Sequence, residues 1–90
     1  MVTVGSEKMY KIVDAYEKHS REKREKAIGI KGKFIKLIQG TGFQFVYDFD
    51  NMIGIHSSVV MDSEIKEDNR LYVYTLNTVY VFEEVTTNER

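Results

Sequence analysis

The chain has no cysteine, no proline and no tryptophan. Without cysteine there is no disulfide framework, no thiolate nucleophile and no cysteine-ligated zinc. That absence suits a reducing compartment, and the cytoplasm is the expected location. Without proline, turns must be made by Gly, Asn and Asp. No apolar run approaches the roughly 20 residues of a membrane-spanning helix. Met1-Val2-Thr3-Val4-Gly5 lacks the basic segment and long apolar core of a signal peptide.

What is present reads as one domain of 90 residues, 42% hydrophobic and 30% charged, the balance of a globular protein. Charge is unevenly spread. Residues 1–40 carry ten Lys/Arg against five Asp/Glu, and residues 41–90 carry three against nine. A basic face for an anionic partner, or complementary faces for self-association, would follow.

The strongest pattern is a C-terminal hairpin, Leu71 to Leu76 and Val79 to Phe82, joined by Asn77-Thr78. β-Branched and aromatic residues fill it, and Asn tolerates the positive φ of a tight turn. This register sets Leu76 opposite Val79 and Val73 opposite Phe82. One face carries Tyr72, Tyr74, Leu76, Val79 and Val81; the other carries Leu71, Val73, Thr75, Tyr80 and Phe82. Both faces are mostly apolar, so the rest of the chain or a second copy must cover them. A homo-oligomer is expected on this ground.

Residues 6–26 predict an amphipathic helix. Ser6 would cap it, with Met9, Ile12, Val13 and Tyr16 as the buried stripe. Acid precedes base by four residues in Glu7–Lys11, Asp14–Lys18, Glu17–Arg21 and Glu22–Lys26. From Ala27 the period changes to two, and residues 27–85 read as a meander of five or six antiparallel strands. Gly32 marks a bulge or bend. Asp50-Asn51 turns the hairpin that would set Tyr47 opposite Gly54 and Phe45 opposite His56. Residues 86–90 read as a frayed polar tail. The expected fold is α+β, the meander closing partly into an SH3-like barrel with the helix over one face or end. The order is similar to that of Sm-like RNA-binding proteins, whose signature residues are missing here.

Catalytic patterns are weak. His56, Ser57 and Ser58 adjoin in sequence, but neighbours in a strand point to opposite faces, and no nucleophile elbow surrounds either serine. Asp48-Phe49-Asp50-Asn51 lacks the spacing of a calcium loop and reads as turn chemistry. Gly29-x-x-Gly32-Lys33 and Gly40-x-Gly42 open no helix, so neither is a phosphate loop. No cofactor and no metal site is expected.

Binding patterns are better. Lys31, Lys33 and Lys36 lie on one strand without nearby acids, either an anion-binding edge or lysines that protect it from pairing. Arg21 and Arg24 sit among acids on the basic stretch 21–26. Phe43, Phe45, Tyr47 and Phe49 alternate as a core stripe or a base-stacking platform. The candidate binding residues are Lys31, Lys33, Lys36, Arg21, Arg24, Phe43, Tyr47 and His56.

His56-Ser57-Ser58-Val59-Val60 followed by Tyr74-Thr75-Leu76-Asn77-Thr78-Val79-Tyr80-Val81-Phe82 resembles a C-terminal pattern of small phage and bacterial accessory proteins. The likeness covers the last third of the chain and has Thr78 where that pattern prefers Ser. It implies a viral or mobile-element product of the kind that inhibits or sequesters host factors, with no defined activity. The expectation is thus a non-enzymatic binding or regulatory protein, without membrane association. It would inhibit a partner protein or sequester a small anionic, nucleotide-like ligand. The alternative is a nucleic-acid-binding β-barrel using the Lys-rich strand and aromatic stacking.

Overall fold

The computed structural model describes residues 8–85. They form six strands: β1 Met9–Glu17, β2 Lys31–Lys36, β3 Gly42–Asp48, β4 Ile53–Ile65, β5 Leu71–Thr75 and β6 Thr78–Val85. Each pairs antiparallel with the next, and β6 returns to β1 to close a barrel. The expected closure of a meander into a small barrel stands, but the protein is all-β. No helix occurs among the described residues, so the α+β assignment and the helix over 6–26 are corrected. Ser6 and the tail 86–90 lie outside the described residues.

The helix fails for a reason visible in β1. This strand buries Tyr10, Ile12 and Ala15. Its register against β6 slips between Ile12 and Asp14, so Val13 is an extra residue. A bulge of this kind changes the burial spacing from two to three and imitates one turn of helix. Magnitudes favour the strand. The four acid–base pairs of the helix would add about 0.2–0.5 kcal/mol each. The strand buries Tyr10 and Ala15, which lie off the helical stripe; a large buried side chain is worth about 1.5–3 kcal/mol, and β1 also removes both open edges of the sheet.

Beyond β1 the chain reverses and runs back along it as a strap. Lys23 bridges Tyr16, and the Arg24 amide donates to the Ala15 carbonyl at 2.9 Å. Residues 25–28 then leave the ladder in overlapping turns. Gly29 rejoins it by donating to the Ile12 carbonyl at 2.7 Å. Two of the acids meant for helical pairs take other bases across this reversal: Asp14 meets Lys23 at 2.7 Å instead of Lys18, and Glu17 meets Arg24 at 2.6 Å instead of Arg21.

The barrel interior is aromatic. Phe82 lies 4.7 Å from Phe34, 5.0 Å from Phe45 and 5.8 Å from Phe43, centroid to centroid. Phe34 meets Phe43, Phe45 and Tyr10 edge to face, the geometry that ring quadrupoles prefer. The stripe on β3 is therefore split. Phe43 and Phe45 are core, whereas Tyr47 is 41% and Phe49 43% exposed.

Two register corrections matter. In the C-terminal hairpin, Tyr74 faces Val79 and Val73 faces Tyr80, two residues away from the expected pairing. The Thr75 hydroxyl donates to the Thr78 carbonyl at 2.8 Å and accepts the Thr78 amide at 3.0 Å. That side chain closes the turn around Leu76-Asn77. A slip of two preserves the faces, so Leu71, Val73, Thr75, Tyr80 and Phe82 still point inward and are buried. In the β3–β4 hairpin, Gly54 faces Val46 and His56 faces Gln44, one residue off, because Tyr47 is an extra residue. A Cβ on Gly54 would lie 2.3 Å from the Phe45 carbonyl oxygen, and one on Gly32 would lie 2.3 Å from that of Val46. The two glycines flank the middle of β3 and let its neighbours press against it as the sheet curls.

Candidate functional site

Closure is uneven along β4. Residues 53–59 pair with β3, and residues 60–65 pair with β5. Beside the first half, the strap of residues 23–30 stands off from β4 and leaves a cavity of about 580 Å³. That volume suits a small organic ligand. Tyr80 from β6 lines its inner part, Tyr47, Ile55 and His56 form the hairpin wall, and the strap supplies Lys23, Arg24 and Lys26 with one acid, Glu25.

The strap is cationic because the chain reversal brings its bases to the opening. Lys23 and Arg24 are paired, but their side chains are about half exposed. Exposed ion pairs are worth only about 0.2–1 kcal/mol, so an incoming anion can compete for both cations. Lys26 has no partner among the described residues. Burial pushes the Tyr80 phenol above its usual pKa, against the pull of the nearby Arg24 guanidinium. It therefore stays a neutral donor across the physiological range. Tyr47 offers a half-open ring face. Together these groups can hold an anion on the strap and a planar apolar ring on the opposite wall.

Of the residues expected from sequence, Arg24, Tyr47 and His56 meet at this cavity. The others are elsewhere. Phe43 is fully buried in the core and cannot be a platform. Arg21 lies over the Tyr16 ring at 4.8 Å, on the barrel exterior. Lys31 is exposed on β2, and Lys36 pairs beside Gln44. Lys33 sits with its ammonium 5.6 Å from the centre of the Phe49 ring. None of the three β2 lysines lines the cavity.

Sequence reasoning missed Lys23, Lys26 and Tyr80. The two lysines fall within the helix expected over 6–26, and Tyr80 falls on an apolar face of the C-terminal hairpin. Their signal was the acid–base spacing itself, since Asp14–Lys23 and Glu17–Arg24 also fit a chain reversal between them. Ser57, next to His56, is committed to the backbone. Its hydroxyl accepts the Phe43 amide at 2.9 Å and donates to the Ser58 carbonyl at 2.7 Å. Asp48 is turned to Asn51, accepting its amide at 3.2 Å and its side-chain Nδ2 at 2.9 Å. Those bonds hold its carboxyl below the usual carboxylate pKa. Among the described residues no three His, Asp or Glu side chains converge as a metal site. No protein-family model, curated protein or solved structure matches the chain.

Proposed function

We propose that the protein is a non-enzymatic binding protein that sequesters a small anionic, ring-bearing ligand of the nucleotide type. The observation that carries this reading is the cavity between strap and hairpin. It sets three basic side chains, Lys23, Arg24 and Lys26, across an opening from Tyr47 and His56. A phosphate would take the strap cations, where Arg24 offers a planar fork of donors. The ring would lie against Tyr47, with the Tyr80 hydroxyl available to a polar edge.

Titration calorimetry with nucleoside monophosphates tests it. Binding in the micromolar range is expected, weakening as salt is raised. Arg24→Ala should cost about tenfold in affinity, the scale of one charge-assisted hydrogen bond. Lys31→Ala, outside the cavity, should change affinity less than twofold. Equal losses from the two substitutions, or no binding by any nucleotide, would remove the proposal.

A further inference from the structure

Two residues past the cavity wall, the chain repeats what the cavity does. Tyr47 lines the opening, facing the strap cations. Phe49, just beyond the end of β3, is 43% exposed, and the Lys33 ammonium lies 5.6 Å from its ring centre. At the first station the ring and the strap cations line one opening, at the second the ring lies against a basic side chain, and the two rings are two residues apart in the chain. The acid between them, Asp48, accepts from Asn51 in the turn and forms no ion pair with Lys33 or the strap cations. Met52 and Ile53, both exposed, continue the apolar end of the hairpin past Phe49.

A single mononucleotide has no use for the second station. We infer that the ligand class of this surface is single-stranded nucleic acid. One nucleotide occupies the cavity, and its neighbour stacks on Phe49 while its phosphate meets Lys33. The inference rests on the nucleotide reading of the cavity and extends it along the β3–β4 hairpin. Rings that take base faces, with cations that follow the backbone, bind single strands with little sequence preference. The cations suit any polyanion, and the exposed faces of Tyr47 and Phe49 favour this one over an acidic peptide, whose carboxylates offer no planar ring to stack on them. The flexible Lys33 side chain, over the ring in the free protein, can move aside to the phosphate as a base takes its place.

The test compares thymidine monophosphate with a labelled deoxythymidine decamer, using the full chain, by calorimetry and fluorescence anisotropy. The decamer should bind at least tenfold more tightly than the mononucleotide. Phe49→Ala should lower decamer affinity about tenfold and Lys33→Glu should lower it further, with a shallower salt dependence. Both side chains are partly exposed, and the melting temperature of each variant checks that the barrel is intact. Equal affinity for the two probes, or a decamer affinity indifferent to Phe49→Ala, would overturn the inference while leaving the cavity reading in place. Failure of both probes to bind would overturn the two together. Binding to phosphatidylserine vesicles that is lost on Phe49→Ala, without decamer binding, would also overturn it and reassign the hairpin end to a lipid surface.

Discussion

β6 and β4 solve the same problem in opposite ways. β6 has five consecutive buried residues, Thr78 to Phe82. Its inner face joins the aromatic core. On its outer face Val79 lies between Tyr16 and Tyr74, and Val81 lies between Asp14 and Tyr72. Both valines are under 5% exposed, so the chain covers this strand from outside with its own tyrosines. Tyr72 and Tyr74 stack at 6.5 Å and are pinned at their hydroxyls by Asp68 and Glu64. β4 has thirteen residues, of which only Val60 and Ser63 are buried. It divides its pairing between two neighbours, and the half near β3 borders the cavity. β6 is flanked on both sides over Val79 to Phe82 and is buried there, and the ligand-sized opening appears beside the half of β4 that is paired on one side.

The comparison breaks most visibly at one core ring. Phe82→Ala should destabilise the protein by about 3–5 kcal/mol, because five ring neighbours lose their contact and a cavity remains. That is a large share of the roughly 5–15 kcal/mol by which domains are stable. Met61→Thr, on the exposed part of β4, should change stability by no more than about 0.5 kcal/mol. Urea denaturation of both variants measures the contrast. Similar midpoints would mean that the two strands do not differ as described.

Gly54→Ala sharpens it within β4. The new Cβ would meet the Phe45 carbonyl at 2.3 Å, with backbone on both sides of the contact. A loss of about 1–3 kcal/mol is expected, the usual range for forced overpacking. An unchanged urea midpoint would show that β3 and β4 can separate locally, and would weaken the account of glycine-permitted curling.

How much of this was legible in the chain depends on where the parity of the strands survives. The hairpin faces were legible because period-two alternation is unchanged by a slip of two residues, even with the turn misplaced by one Thr hydroxyl. The shared face of Phe43 and Phe45 was legible for the same reason, but alternation alone did not separate core from platform, and Phe43 was offered as a binding residue although it is fully buried. The exposure of Tyr47 and Phe49 was not legible, because an extra residue enters at Tyr47. β1 was read as helix because Met9, Ile12, Val13 and Tyr16 fall at helical spacing, whereas the strand buries Tyr10, Ile12 and Ala15 with Val13 as an extra residue. The strap was hidden more deeply. Its reversal, Lys18-His19-Ser20-Arg21-Glu22, contains no Gly, Asn or Asp, and the left-handed position is taken by Arg21 at φ 64°. Local propensity marks such a residue as a poor turn former. The ladder and ion pairs of β1 decide its conformation, and they are tertiary. Arg24 was thus picked as basic, without any sign that it would meet Tyr47 and His56.

The tyrosine cover of β6 carries the mildest of the expected effects, and it is a pH effect. Burial, followed by the hydrogen bond to Glu64, pushes the Tyr74 phenol well above its ordinary pKa. Tyr72, hydrogen-bonded to Asp68, and Tyr80, which is buried, shift the same way. A phenol whose pKa is raised in the folded state contributes stability that is complete below about pH 10 and lost as pH rises toward the folded value. The melting temperature should therefore fall between about pH 9.5 and 11.5. Tyr74→Phe keeps the ring over Val79 and removes the ionisable hydroxyl, so its melting temperature should fall less steeply over that window. Parallel curves for the two proteins would show that the outer tyrosines do not report on folding. The hydroxyl bond to Glu64 would then contribute nothing to holding the Tyr74 ring in place.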